Sequence, residues 1–304
     1  MASSLDFLRT RLAAVLLSLA AMTGPVHADV AADVAQLPGV MANPKLAAML
    51  PRSIRATGVL NVATDLTPPI SFHAEDGKLI GIDADLAAAL GVILQVQVRM
   101  TDVGAGAAIV PSIKAHRFDL SLSGINDDTE LQKQLDVIDY MYDATTVMTP
   151  AGNPLHIARV EDLCGRTVAV PVGTFQERLV ESVSGKCGTP IRILTLPKMP
   201  DVLQAVRTGR ADATVNGYAT SVYTTQHQTG VGRALQALPA IRMEVGYLGM
   251  LVPKDVPRLR DALAAALQQM VDSGAYSAIL RKWGLGSLAV KTVELNRARH
   301  VAAN

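Results

Sequence analysis

The chain has 304 residues, of which 49 % are hydrophobic and 18 % are charged, with 28 basic and 27 acidic side chains. This composition is too apolar for a largely disordered protein, and the length allows two domains with separate cores. The near-neutral charge argues against the clustered basic surface that binding of nucleic acid or an acidic membrane requires.

Residues 1–28 have the pattern of a secretory signal peptide. Arg9 and Arg11 precede an apolar stretch at residues 12–22, and small residues stand at the cleavage-determining positions before Ala28. The apolar stretch is about half of the roughly 20 residues that a membrane helix needs. We therefore predict export to the periplasm with cleavage after Ala28.

Residues 29–55 contain Pro38, Pro44 and Pro51 between alanine-rich segments. Proline interrupts regular structure because it lacks a backbone N–H. The pattern predicts a loosely attached N-terminal extension with one or two short helices and no functional role.

Residues 58–90 predict a strand, a ligand-facing loop, a hairpin and a helix in succession. Residues 59–63 are apolar and partly β-branched, and the Pro68-Pro69 pair ends the strand. A turn at residues 75–78 indicates a hairpin, and Asp83 or Asp85 can begin the helix.

The rest of the chain alternates short apolar strands with helical patterns, which is typical of α/β layers. A breaker cluster at residues 149–154 predicts a crossing between lobes, and a long strand at residues 244–252 predicts the return. We predict lobe 1 at residues 56–148 and 249–304 and lobe 2 at residues 149–248.

Cys164 and Cys187 fit an exported protein, because disulfides persist in oxidising compartments. A bridge that closes a loop of about two dozen residues stabilises by roughly 3 kcal/mol on the chain-entropy model. We predict this disulfide; the alternative is a pair of buried free thiols. Two cysteines without a nearby histidine provide too few ligands for a metal site.

A series of ordered motifs resembles the bacterial extracellular solute-binding proteins of family 3, the receptors of polar amino-acid ABC importers. The motifs are Val62-Ala63-Thr64-Asp65, Gly81-Ile82-Asp83-Ala84-Asp85-Leu86, Gly173-Thr174-Phe175-Gln176-Glu177, Gly209-Arg210-Ala211-Asp212-Ala213 and Lys282-Trp283-Gly284. The resemblance implies a type II periplasmic binding protein, in which two α/β lobes joined by a two-segment hinge close on a solute.

The chain departs from this family at both charged anchors. The resemblance implies an arginine for the solute carboxylate where Leu131 stands, and an aspartate for the solute ammonium where Gly217 stands. Enclosing a carboxylate without a counter-ion costs several kcal/mol. We therefore expect a neutral or cationic small solute rather than a standard α-amino acid.

The candidate ligand-binding residues fall at the predicted cleft loops. They are Asp65, Phe72, Ser123, Gly124, Asn126, Asp128, Leu131, Thr174, Phe175, Asn216, Gly217 and Tyr218.

Several of these candidates have alternative roles. Asp65 can cap local backbone, and Asp128, like its neighbour Asp127, can cap a helix. Phe72 and Tyr218 can serve in local packing. Thr174 and Phe175 would act through backbone N–H groups.

The predicted partners are a small solute and an inner-membrane permease, with no cofactor, no metal and no nucleic acid, for a protein that acts as a monomer. Two other functions stay open. The same fold occurs in periplasmic dehydratases of the cyclohexadienyl type, but no catalytic constellation is recognisable in the sequence. A sensory protein that presents its ligand to a membrane receptor would have the same cleft.

Overall fold

The computed structural model describes residues 30–104, 106–228 and 232–298. The predicted signal peptide and its cleavage after Ala28 lie outside the described residues. No helix within the described ranges is both long and apolar enough to cross a membrane.

The first half of the chain alternates helices and strands. Its elements are α1 (Val30–Ala35), α2 (Pro44–Met49), α3 (Arg52–Thr57), β1 (Val59–Thr64), β2 (Phe72–His73), β3 (Leu79–Ile80), α4 (Ile82–Leu94), β4 (Gln97–Asp102), α5 (Ile109–Lys114), β5 (Leu120–Asn126), α6 (Thr129–Gln132) and β6 (Leu135–Pro150).

The second half repeats this alternation and ends with two helices and a strand. Its elements are β7 (Thr167–Pro171), α7 (Phe175–Ser184), β8 (Arg192–Leu196), α8 (Met199–Arg207), β9 (Ala213–Gly217), α9 (Tyr218–Gln226), β10 (Leu235–Pro253), α10 (Pro257–Ser273), α11 (Ala275–Lys282) and β11 (Ala289–Leu295).

The strands follow the order β4-β1-β5-β10-β6-β9-β7-β8, with β11 against β6. In the first half β1 runs parallel to β4 and β5, and in the second half β7 runs parallel to β8 and β9. The long antiparallel strands β6 and β10 pair with each other and extend through both halves. This confirms the predicted α/β fold of two lobes joined by two segments.

The partners of β6 change between Asp143 and Thr145. Thr145 begins the pairing with β9, while the preceding part of the strand pairs with β11 and with the end of β10. The strand continues to Pro150 because β10 supplies backbone hydrogen-bond partners along its length. The breaker cluster at residues 149–154 thus lies beyond this change, and the lobe limits stay a prediction.

The N-terminal extension is not loosely attached, which corrects the sequence-based prediction. It contains three short helices, and Leu50 and Ile54 are buried in the core of the first lobe. The side chain of Gln269 donates to the carbonyl of Gly39 and accepts from the side chain of Asn43. Local proline content could not reveal these contacts, because the partner helix α10 lies more than 200 residues later.

The hairpin β2–β3 is confirmed, but helix α4 begins at Ile82, one residue before the predicted start. Asp83 and Asp85 lie buried in its first turn. Asp83 accepts a hydrogen bond from the hydroxyl of Tyr140 at 2.7 Å. Both aspartates therefore serve tertiary contacts as well as the helix start.

The predicted disulfide is confirmed. Cys164 and Cys187 are bonded, with their Cα atoms 5.5 Å apart, which is an ordinary separation for a disulfide. The bridge joins the segment before β7 to the segment after α7 and so closes a loop within the second lobe.

Candidate ligand-binding site

A cavity of about 330 Å³ lies between the two lobes. Its walls come from the loops after β1 and β5, from the starts of α7 and α8, and from the end of β9. The hinge strand β6 contributes Asp143. The volume is at the lower end of the range that is usual for small-molecule sites.

Ten of the twelve candidate residues line this cavity. They are Asp65, Ser123, Gly124, Asn126, Asp128, Leu131, Thr174, Phe175, Asn216 and Gly217.

The other two candidates lie outside the cavity lining and make local contacts. The ring of Phe72 packs against the rings of Tyr223 and Trp283, each at 5.7 Å between centroids. The guanidinium of Arg242 lies over the ring of Tyr218, 4.8 Å from its centroid. The structure thus places both aromatic residues in the packing role that the sequence left open for them.

Asp128 caps α6 and also bridges the two lobes. Its Oδ1 accepts the backbone N–H of Leu131 at 2.7 Å. Its Oδ2 accepts from the guanidinium of Arg178, which belongs to α7 of the second lobe. Asp127 instead accepts from the side chain of Gln132 and does not line the cavity.

Leu131 gives the first lobe an apolar wall at the position where the family resemblance implies an arginine. The side chain is 7 % exposed and belongs to a hydrophobic cluster with Ile109, Ile113 and Leu135. This position therefore offers no charge to a ligand.

The carboxylate of Asp143 occupies the space beside Gly217, which is free because glycine has no side chain. A Cβ atom at Gly217 would overlap Asp143 Oδ2, so the carboxylate lies where a side chain from position 217 would begin. Asp143 is 4 % exposed, and its Oδ1 accepts the N–H of Ala219 at 3.2 Å. The sequence analysis missed this residue, although an acidic residue inside the apolar strand β6 was a visible signal.

Burial raises the pKa of Asp143 to about 7, although the backbone N–H groups of Ala144 and Ala219 favour its charged form. Burial, followed by the nearby charge of Asp102, raises the pKa of Asp65 to about 7. Neither Asp65 nor Asp143 forms an ion pair with any residue that the structure describes. Two carboxylates thus face one cavity without a counter-ion from the described chain.

Two cations that the sequence analysis missed also line the cavity, Arg178 and Lys198. The sequence analysis considered only the position of the family arginine, where Leu131 stands, and these two cations reach the lining from other positions. Arg178 is engaged by Asp128, whereas Lys198 is exposed and its Nζ lies near Gly104 of the first lobe. Arg178 lies in the first turn of α7 and Lys198 immediately precedes α8. Only the folded structure brings these two residues to the same cleft.

Besides Asp65 Oδ1, two buried polar groups of the lining lack a hydrogen-bond partner among the described residues. These are the hydroxyl of Ser123 and the amide nitrogen of Asn216, which are 6 % and 2 % exposed as residues. A buried polar group without a partner is costly. Both groups are therefore available to a bound ligand.

The two lobes approach each other at the cavity mouth. A Cβ on Gly173 of the second lobe would lie 3.0 Å from the Cβ of Ala107 of the first lobe. The Asp128–Arg178 ion pair also joins the two lobes beside the cavity.

Comparison with known proteins identifies this architecture. Residues 60–286 match the bacterial extracellular solute-binding proteins, family 3. The chain belongs to this family. The match covers more than half of the chain and confirms the resemblance drawn from the sequence motifs.

Individual family members are moderately similar to this chain. The arginine-binding protein ArgT of Corynebacterium glutamicum is 30 % identical over 258 residues, which cover 80 % of this chain and 79 % of ArgT. A solved ancestral arginine-binding protein bound to arginine has a TM-score of 0.68 and 28 % identity, covering 74 % of this chain and 98 % of that structure.

A third similar structure is the ancestral amino acid-binding protein AncCDT-1, described as a precursor of cyclohexadienyl dehydratase. It has a TM-score of 0.67 and 29 % identity, and the match covers 76 % of this chain and 97 % of AncCDT-1.

Proposed function

We propose that this solute-binding protein is the receptor of an ABC importer and that it captures a small, positively charged solute between its lobes. The observation that carries the proposal is the pair of carboxylates, Asp65 and Asp143, which face the cavity without an ion pair among the described residues. Burying an unpaired charge costs several kcal/mol, and a cationic ligand offsets that cost.

Two of the similar proteins bind arginine, which supports a cationic solute. ArgT of C. glutamicum is an arginine-binding protein, and the ancestral structure holds arginine. The arginine side chain carries a permanent positive charge. Arginine itself does not follow for this chain, because Leu131 and Gly217 change the surroundings of the ligand.

The other lining residues act as neutral contacts in this proposal. Ser123 and Asn216 offer hydrogen bonds to the solute, and Leu131 provides an apolar wall. Asn126, Gly124, Thr174 and Phe175 shape the cavity through loop and helix-start backbone. Gly217 leaves the space that the Asp143 carboxylate fills.

The proposal includes the cellular setting. The protein acts in the periplasm after removal of its signal peptide and delivers its solute to an inner-membrane permease as a monomer. It binds its solute without chemical conversion, since the three similar proteins named above, AncCDT-1 included, are binding proteins.

A thermal-shift and calorimetry panel tests the proposed function. Mature protein, stripped of bound solute by unfolding and refolding with the disulfide intact, is mixed with cationic, neutral and acidic solutes of similar size. We expect only cationic solutes to raise the melting temperature. Stabilisation by neutral or acidic solutes alone would contradict the proposal.

The variant Asp143→Asn tests the carboxylate directly. Since a close charge contact in a buried site is worth more than an exposed one, we expect the affinity for cationic solutes to fall by about a factor of ten or more. Asp255→Asn is the matched control, because Asp255 is exposed, pairs with His116 and lies outside the cavity lining. Its affinity should equal that of the unsubstituted protein.

A further inference from the structure

The starts of α6 and α7, two of the helix starts that border the cavity, each hold a carboxylate of the chain itself. At α6, Asp128 accepts from the N–H of Leu131 and from Arg178. At α7, the carboxylate of Glu177 accepts the N–H of Gly173. A ligand carboxylate would normally seek N–H groups and a guanidinium of this kind. Here the N–H groups of Leu131 and Gly173 and the guanidinium of Arg178 are engaged.

The remaining surface of the cavity repels anions. Asp65 and Asp143 face it without ion pairs among the described residues, and Leu131 supplies an apolar wall. Lys198 is the one cation of the described lining that is outside an ion pair, and its side chain is exposed to solvent at the mouth. A carboxylate inside the cavity would therefore meet two like charges, with the exposed Lys198 as the unpaired cation of the described lining.

We infer that the ligand is a dication without a carboxylate, such as a diamine or a guanidino-amine, the product that remains when a basic amino acid loses its carboxyl group. This inference rests on the proposed function and narrows its ligand class. Two positive charges balance Asp65 and Asp143, while Asp128 occupies the place beside Arg178 that a ligand carboxylate would need. Specificity arises here from repulsion of the wrong ligand as much as from attraction of the right one.

Matched ligand pairs test the inference by calorimetry on the stripped mature protein. Agmatine is compared with arginine and cadaverine with lysine, because each pair differs only in the carboxylate. We expect the amine of each pair to bind at least ten times more tightly than the amino acid. Equal or tighter binding of the amino acids overturns the inference while leaving the proposed function standing. If neither member of either pair binds, both the inference and the proposed function fail.

The variant Asp128→Asn tests the occupied position itself. Asparagine is an equally good helix cap, so α6 should keep its start while Arg178 loses its charged partner. We expect the ratio of agmatine to arginine affinity to fall at least fivefold, because arginine gains a free guanidinium for its carboxylate. Asp255→Asn, which alters an exposed aspartate away from the cavity, should keep the ratio. An unchanged ratio in Asp128→Asn overturns the inference.

A second variant covers the case in which Asp128→Asn does not fold. Lys198→Met removes the exposed cation at the cavity mouth, which repels a dication in our assignment. We expect agmatine to bind more tightly to this variant at low salt. A fall in agmatine or arginine affinity would mean that Lys198 holds an anionic group or an acceptor of the ligand, and it would overturn the inference.

Discussion

Asp143 supplies a carboxylate to the cavity directly beside Gly217, although the two residues belong to different chain segments. Gly217 ends β9, and Asp143 lies on the neighbouring hinge strand β6, whose residue Thr145 pairs with Gly217. The absence of a side chain at 217 creates the space that the carboxylate uses. The sequence gives no sign that the two residues meet, because Asp143 lies more than 70 residues before Gly217.

Gly217→Ala is a direct test at the residue scale. The backbone φ angle of Gly217 is −52°, so alanine fits the conformation, but its Cβ would overlap Asp143 Oδ2. We expect displacement of the carboxylate and a loss of about tenfold or more in affinity for a cationic ligand, measured by calorimetry. Gly188→Ala is the control, because a Cβ there has no neighbour within 4 Å and should leave the affinity unchanged.

Short elements obtain their stability from the lobe they pack on, and the N-terminal helices are the clearest case. Helices α1, α2 and α3 have six residues each, which is too short for a helix to persist alone in water. They are held by burial of Leu50 and Ile54 and by contacts with α4 and α10. The extension is therefore part of the first lobe.

Leu50→Ala measures the contribution of this extension. Leu50 is fully buried, so truncation should lower the free energy of unfolding by about 2–5 kcal/mol. Met41→Ala, at a side chain that is 65 % exposed in the same extension, should change it by less than about 0.5 kcal/mol. Urea unfolding of both variants provides the measurement. Similar small effects at both positions would show that the extension does not share the core.

The whole molecule carries a set of buried carboxylates that couples its stability to pH. Burial raises the pKa of Asp65 and Asp143 to about 7 and that of Asp83 and Asp139 to about 8. The unfolded carboxyl groups titrate near pH 4, so between about pH 4 and 8 the folded state binds more protons. The free energy of unfolding of the empty protein should therefore fall as the pH rises through this window.

Asp143→Asn isolates one part of this pH dependence. The amide cannot ionise, so the variant should lose less stability than the unsubstituted protein between pH 5.5 and 8.5, by about 2 kcal/mol from its share of the titration. The same variant should bind cationic solutes poorly. Urea unfolding at the two pH values measures this difference, and an equal pH dependence in both proteins would show that Asp143 does not titrate in this range.

Local sequence patterns are sufficient to predict several of the secondary-structure elements and the disulfide. The strand β1, the hairpin β2–β3 and the disulfide follow from spacing, turn residues and composition. The return strand β10 is longer than the predicted residues 244–252, and the pattern does not predict β11. These elements depend on partners that are distant in sequence, which a local window cannot contain.

The sequence by itself determined the family, the α/β alternation and the loops that form the cleft, because these features depend on short motifs and on hydrophobic periodicity. Only the tertiary structure decided the charge of the site. Asp143, Arg178 and Lys198 lie on three different elements, and hinge and lobe packing bring them to one cavity. Electrostatic interaction depends on distance in space and on burial, and neither quantity can be obtained from position along the chain.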